Sequence, residues 1–210
     1  MELAQAENLL PLLVWLLGKN DLQLSQDQLT LHWRQYLQNY RSNTLLLREL
    51  STVLGSLSVN QVECIVLKGA ALLTSLYPDP GLRYMCDIDL LVRPQQLPRV
   101  IEVLQGCGYR PLSFQLGKDL RGQVMYVKDG KPAIYIEPHW SLGSAYSYAG
   151  RIDIEDVWQR ANKLKVANVD TLVLSREDCL LHLCLHLFLH YGAGWLKSCR
   201  VSNPRGRWKS

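Results

Sequence analysis

Two aspartates alternate inside an apolar run at Asp87-Ile88-Asp89-Leu90-Leu91-Val92, and this stretch limits the architecture more than any other in the chain. Its aliphatic content and its stop at Arg93-Pro94 read as a β-strand, although strands disfavour Asp. Side chains alternate across a strand, so Asp87 and Asp89 project to one face while Ile88 and Leu90 project to the other, with the carboxylates roughly 7 Å apart. Two like charges so placed are unfavourable when desolvated, and a divalent cation removes the conflict. The strand therefore needs a core on one face and a polar site on the other.

The flanking sequence supplies the covering layers. Residues 3–17 and 25–58 carry apolar positions at helical spacing, with Ser25 as N-cap of the second stretch. Residues 63–67 form a short β-rich run that ends at Lys68-Gly69 and leads into the helix-favouring AALLTSLY, giving strand, glycine turn and helix. The loop PDPGLRYM then delivers the chain to Asp87, and residues 95–105 return to helical spacing until Gly106. Residues 125–137 read as two strands about a turn at Asp129-Gly130. Beyond Ser141 the chain is expected to be polar and aromatic, then mostly helical, with Ser175 capping an apolar helix that runs to about Tyr191. The class expected is α/β (α+β), a small mixed sheet flanked by N-terminal and C-terminal helices. The divisions are an N-terminal helical region (1–60), a core (61–145), a C-terminal helical layer (146–196) and a basic tail (197–210), disordered or truncated.

Charge narrows the partners. The net charge of +4 is concentrated in the tail, which holds five of the 23 Lys and Arg and no acidic residue; positions 1–196 have 18 basic and 19 acidic residues. That body has no signature for a long nucleic acid duplex. The six cysteines have no CxxC pair and read as buried free thiols in a reducing compartment. The apolar run at residues 9–17 is too short for a membrane span and is preceded by acidic residues, so a cytoplasmic protein without a membrane partner is expected.

Mg²⁺ is usually held by one or two carboxylates together with phosphate oxygens and water. A phosphate site is therefore expected nearby, and Lys68-Gly69 supplies one: backbone N–H groups at the start of a helix, with Lys68 and Arg83 adding charge. The ligand implied is a nucleotide with its metal. Glu137, on another strand and facing away from Ile134 and Ile136, is the candidate third carboxylate. Competing readings place Lys68 on the surface, pair Arg83 with Asp87, and treat Asp129 as a turn residue. His139 and Trp140 either orient the carboxylate, stack on a base or simply pack. His182, His186 and His190 span about 12 Å along a helix, too far for one ion, and read as histidines packed against the core.

The stretch LKGAALLTSLYPDPGLRYMCDIDLLV, the later IEPHWSL and the helix LSREDCLLHLCLHLFLHY resemble the uncharacterised nucleotidyltransferases of the DNA polymerase β superfamily over roughly residues 60–190. The resemblance implies transfer of a nucleoside monophosphate from an NTP such as ATP to an acceptor hydroxyl, with release of pyrophosphate and Mg²⁺ or Mn²⁺ as cofactor. It implies that Asp87 and Asp89 bind two metals and that Glu137 binds the one activating the acceptor, which is a protein side chain, a small molecule, a sugar or an RNA end. The chain departs from the superfamily in having Lys68-Gly69 where Gly-Ser or Gly-Gly is usual, and in its basic tail. Two rivals follow: a non-catalytic nucleotide-binding module, and a D-x-D glycosyltransferase, which would need a nucleotide-binding α/β unit where helices are expected here.

Overall fold

The computed structural model describes residue 4 and residues 8–18, 24–112, 122–142 and 152–191, with side chains described as far as residue 187. Six helices are α1 (Leu10–Leu17), α2 (Gln26–Val59), α3 (Lys68–Leu76), α4 (Leu97–Gly106), α5 (Ile154–Arg160) and α6 (Arg176–Tyr191). Seven strands are β1 (Ile65–Val66), β2 (Ile88–Leu91), β3 (Arg110–Pro111), β4 (Tyr126–Lys128), β5 (Ile134–His139), β6 (Asn162–Val166) and β7 (Val169–Val173). They form one mixed sheet in the order β3-β4-β5-β2-β1-β7-β6, with β2 parallel to β5 and β1 parallel to β7.

The central strand β2 is buried along its whole length, and its alternation sorts residues between two layers. Ile88 and Leu90 join the core built from Leu46, Leu50, Val53, Leu54 and Leu57 of α2 and Val100, Val103 and Leu104 of α4. Leu91 belongs to the opposite layer, with Ile65, Leu67 and the α5 residues Val157 and Trp158. Asp89 shares the face of Leu91 by strand alternation, so the α2 layer supports the sheet and leaves the other side to the polar residues.

α2 starts where its sequence signals: Ser25 Oγ accepts from Gln28 N–H, and Gln28 Oε1 accepts from Ser25 N–H at 2.9 Å, a reciprocal cap. Its middle carries two fully buried asparagines one turn apart. Asn39 Nδ2 donates to Gly81 O at 3.1 Å, and Asn43 Nδ2 donates to Pro80 O at 2.7 Å and Arg83 O at 2.6 Å. These bonds satisfy carbonyls of the 3₁₀ turn Pro80–Leu82 and of Arg83 just after it. A Cβ on Gly81 would run into the Tyr36 ring, so a glycine is needed for α2 to approach the turn this closely.

Several expectations are corrected. Of the helical stretch expected at 3–17, Ala4 and Leu10–Leu17 are helical, Asn8 and Leu9 interrupt it, and residues 3 and 5–7 lie outside the described residues; Pro11 sits in the opening turn of α1, where a missing N–H is not needed for a helical bond. The β4–β5 register pairs Lys128 with Ile134, so the connection spans residues 129–133 instead of a two-residue turn. Asp129 does more than turn the chain: it receives Arg110 through Nε at 2.9 Å and a second guanidinium nitrogen at 2.8 Å. The expected C-terminal helical layer, 146–196, instead contains the β6–β7 hairpin, whose β7 pairs with β1 and widens the sheet. Ala167 and Asn168 join these strands with φ of 49° and 67°, the doubly left-handed geometry that suits the strand twist. The period-two pattern of Leu164, Val166, Val169 and Thr171 was the available signal, masked by Lys163, Lys165 and Asp170 on a half-exposed edge. Not all thiols are buried: Cys64 is, whereas Cys86 and Cys184 are exposed. Among the described residues no helix is long and apolar enough to cross a membrane. Cys199 and the tail from residue 197 lie outside the described residues.

Candidate metal centre

Leu67 N–H donates to Asp89 O at 3.0 Å, locking the end of β1 beside β2 immediately before α3 begins. Lys68 follows with φ of 41°, left-handed backbone that costs a non-glycine residue about 1 kcal/mol or more. Its ammonium reaches Asp89 Oδ1 at 2.8 Å. On the other side, the parallel register of β2 and β5 sets Asp89 opposite Glu137 and Leu91 opposite His139. His139 Nε2 lies 2.7 Å from Asp89 Oδ1 and 3.4 Å from Glu137 Oε2, while Gln123 Nε2 donates to Glu137 Oε1 at 2.9 Å. Asp89, Glu137 and His139 are 2%, 6% and 2% exposed, so this is a buried polar cluster on an otherwise apolar sheet.

The charges are set by these contacts. Burial works to raise the Asp89 carboxyl, but the His139 hydrogen bond and charge, together with Lys68, hold it well below the usual range. Burial likewise opposes protonation of His139 and Lys68. The hydrogen bonds to Asp89 and Glu137 raise the imidazole nonetheless, and the charge of Asp89 raises the ammonium. Asp87 lies just before β2, half-buried, and accepts a weak 3.4 Å hydrogen bond from Cys86 Sγ. Burial and the charge of Asp89 push it up to about 6 against the pull of Lys68.

One ligand atom each from Asp89, Glu137 and His139 lies within 4.8 Å of the other two. Two carboxylates and an imidazole fit a hard or borderline divalent ion, Mn²⁺ accepting the imidazole more readily than Mg²⁺. The set differs from the expected Asp87, Asp89 and Glu137: His139 is in it and Asp87 stands beside it. His139 was legible from its spacing, since residues 137 and 139 of a strand share a face. Gln123 had no signal, because a 14-residue separation and the register of a neighbouring strand bring it to Glu137.

The phosphate residues also sit differently from expectation. Lys68 is neither on the surface nor free, being paired to Asp89. A Cβ on Gly69 would lie 2.8 Å from Met85 Cγ and 2.9 Å from its Sδ, so here this glycine lets the loop before Asp87 pack on the start of α3. Arg83 forms no ion pair with Asp87 among the described residues. Its guanidinium carbon lies 5.7 Å from the Tyr77 ring centroid, and its buried Nε has no hydrogen-bond partner among the described residues.

His182 of α6 closes this side. It is 4% exposed, with Nδ1 3.3 Å from Leu142 O and Nε2 without a partner among the described residues. Burial, then the positive charges of Lys68 and His139, push it down to about 4, with Asp89 pulling weakly the other way. The unfolded chain protonates this histidine near 6.5 and the folded chain only near 4, so its neutral burial is without penalty above pH 6.5 and becomes destabilising as pH falls towards 4. The stability advantage of the wild type over His182→Asn should shrink by about 3 kcal/mol between pH 7 and pH 4, measured by urea unfolding; a constant difference would contradict the assignment. His186 lies beside it, ring centroids 6.5 Å apart, and the His190 side chain lies outside those described.

The family model described as "uncharacterised nucleotidyltransferase" matches residues 1–203. The chain belongs to this family. The nucleotidyltransferase is similar in fold to the solution structure of the antibiotic-resistance factor ANT(2″)-Ia, at 13% identity and a TM-score of 0.51, covering 73% of this chain and 77% of that one. A lower similarity is found to the lincomycin-bound lincosamide antibiotic adenylyltransferase LnuA, with 17% identity, a TM-score of 0.44, and 63% and 82% of the two chains covered. No curated protein matches the nucleotidyltransferase. Family membership replaces the D-x-D glycosyltransferase reading, and the mixed sheet flanked by helices agrees with the expected class.

Proposed function

We propose that this nucleotidyltransferase transfers a nucleoside monophosphate from an NTP to an acceptor hydroxyl with Mg²⁺ or Mn²⁺ at the β2–β5 cluster. The observation that carries the reading is the register that places buried Asp89 opposite buried Glu137, with His139 across both. Asp89, Glu137 and His139 would hold one ion, and Asp87, at the mouth of the cluster, would join Asp89 around a second. A divalent ion there supplies charge neutralisation at the α-phosphate and at the attacking oxygen.

The protein's own groups account for orientation and proton movement. Gln123 fixes Glu137 Oε1, and Oε2, which lies 3.4 Å from His139 Nε2, would take the proton of the acceptor hydroxyl once the imidazole turns its lone pair to the ion. The acceptor oxygen forms its bond to the α-phosphorus as the bond to the bridging oxygen breaks and pyrophosphate departs with the electron pair. Lys68 and Arg83, on either side of the loop before Asp87, are the cations for the polyphosphate. Arg83 must leave the Tyr77 ring to serve. The acceptor is a protein side chain, a small molecule, a sugar or an RNA end, and exposed free Cys86 and Cys184 suit a reducing cytoplasm.

The test is incubation of the purified protein with each of the four α-³²P NTPs, ATP first, with Mg²⁺ or Mn²⁺, alone and with cell extract, beside an Asp87→Asn, Asp89→Asn double variant. Label moved to an acceptor by the wild type and not by the variant is the expected result. One observation favours a second reading: Lys68 and His139 already balance Asp89, as a degenerate site would require. A non-catalytic nucleotide-binding module predicts metal-dependent NTP binding with no transfer in any arm.

A further inference from the structure

Lys68 Nζ and His139 Nε2 both contact the same atom, Oδ1 of Asp89, at 2.8 and 2.7 Å. Asp89 is one of the three candidate ligands with Glu137 and His139, and its Oδ1 already has two donors. An ion at Asp89, on either carboxylate oxygen, is opposed by the charge of these partners, and of the two only Lys68 can leave, since His139 has to stay as a ligand with its Nε2 proton given up. His139 is fixed within β5, buried, and held by Glu137 as well. Lys68 is the movable one: it stands at the β1–α3 junction on a flexible four-carbon stem, and its side chain is 13% exposed against 3% for His139.

Where the ammonium goes follows from charge. Leaving Asp89 for bulk water would forfeit a buried ion pair, so a metal arriving alone meets a competitor already seated. A metal arriving with a polyphosphate brings Lys68 a second anion beside the first, and the exchange is carboxylate for phosphate oxygen with little net change for the lysine. We infer that Lys68 is an exchangeable counter-ion that holds Asp89 until nucleotide enters and then moves to the polyphosphate, making metal and nucleotide binding mutually dependent. The inference rests on the metal–nucleotide reading above and adds to it an ordering device: a protein that resists metal alone and takes it with nucleotide. Linkage requires the reciprocal effect, that metal promotes nucleotide binding by the same factor.

The experiment is Mn²⁺ binding to the full chain at constant pH, followed by electron paramagnetic resonance, without and with the non-transferable nucleotide α,β-methylene-ATP. Wild type, Lys68→Met and Lys68→Arg are compared after circular dichroism shows that each is folded. Lys68→Met should bind Mn²⁺ alone about tenfold more tightly than wild type, while the gain in Mn²⁺ affinity on adding the nucleotide analogue falls by about tenfold, within the usual range of coupling between sites. Lys68→Arg keeps the charge and should behave like wild type for metal alone, which also covers the case in which the Met variant does not fold. Equal or weaker Mn²⁺ binding by Lys68→Met, with the nucleotide gain intact, overturns the exchange and leaves the metal–nucleotide site standing. Absence of Mn²⁺ binding in every protein, with and without nucleotide, overturns both.

Discussion

Asp89→Asn should lower nucleotidyl transfer by at least about 10³-fold, because several kcal/mol of charge stabilisation at the metal rest on this carboxylate and each 1.4 kcal/mol is tenfold in rate. The side chain is 2% exposed, contacts Lys68 and His139 and stands opposite Glu137 in the strand register. An amide keeps the shape and can still accept from Lys68, so the change removes charge with little change of volume. Asp87→Asn should do less, since Asp87 stands outside the three-atom cluster and its carboxyl is already pushed up to about 6. Initial rates with Mn²⁺ and the nucleotide that donates label, normalised to the folded fraction, decide it. Retention of more than a tenth of wild-type activity by Asp89→Asn would remove this residue from the metal centre.

The second large effect is on stability and comes from a residue with no chemistry of its own. Asn43→Ala should destabilise the protein by about 1–3 kcal/mol, since it removes two hydrogen bonds to the part-buried carbonyls Pro80 O and Arg83 O, at about 0.5–1.5 kcal/mol each. Asn43→Asp should be no better, because a carboxylate cannot donate. The turn so released is the one that feeds the chain through Met85 into Asp87, so transfer activity should fall along with stability even below the melting transition. Urea unfolding, read together with the transfer assay, checks both parts. A change under about 0.5 kcal/mol, ordinary for a surface substitution, would mean that the Asn43 bonds do not hold the turn.

The candidate site was legible to the extent that local patterns carry chemistry. Alternation identified β2 and placed Asp89 on its polar face, and the Lys68-Gly69 junction between strand and helix was found where expected. Capping residues Ser25 and Ser175 were readable because a helix end has orphan N–H groups that a nearby side chain must satisfy. Pairing was not legible. Nothing in periodicity says that β5 lies parallel to β2 instead of elsewhere in the sheet, and that choice alone brings Glu137 and His139 to Asp89. The β6–β7 hairpin escaped because its charged edge and its Ala167-Asn168 turn lack the glycine usual in such loops.

Buried polar side chains mark the division most clearly. Asn39 and Asn43 look like ordinary helix-surface residues in sequence, and only the packing of the 79–83 turn against α2 shows why they are amides. Arg83 looks like a phosphate ligand beside a carboxylate pair, yet the fold lays it on Tyr77. The sequence by itself determined which residues carry charge, which strand faces are apolar and where helices begin, because those depend on neighbours within a few positions. The tertiary structure decided which charges meet: burial and long-range strand register bring Lys68 and His139 to Asp89 and Glu137 to His139, and the Asp89 contacts depend on chain closure across 21 and 50 residues.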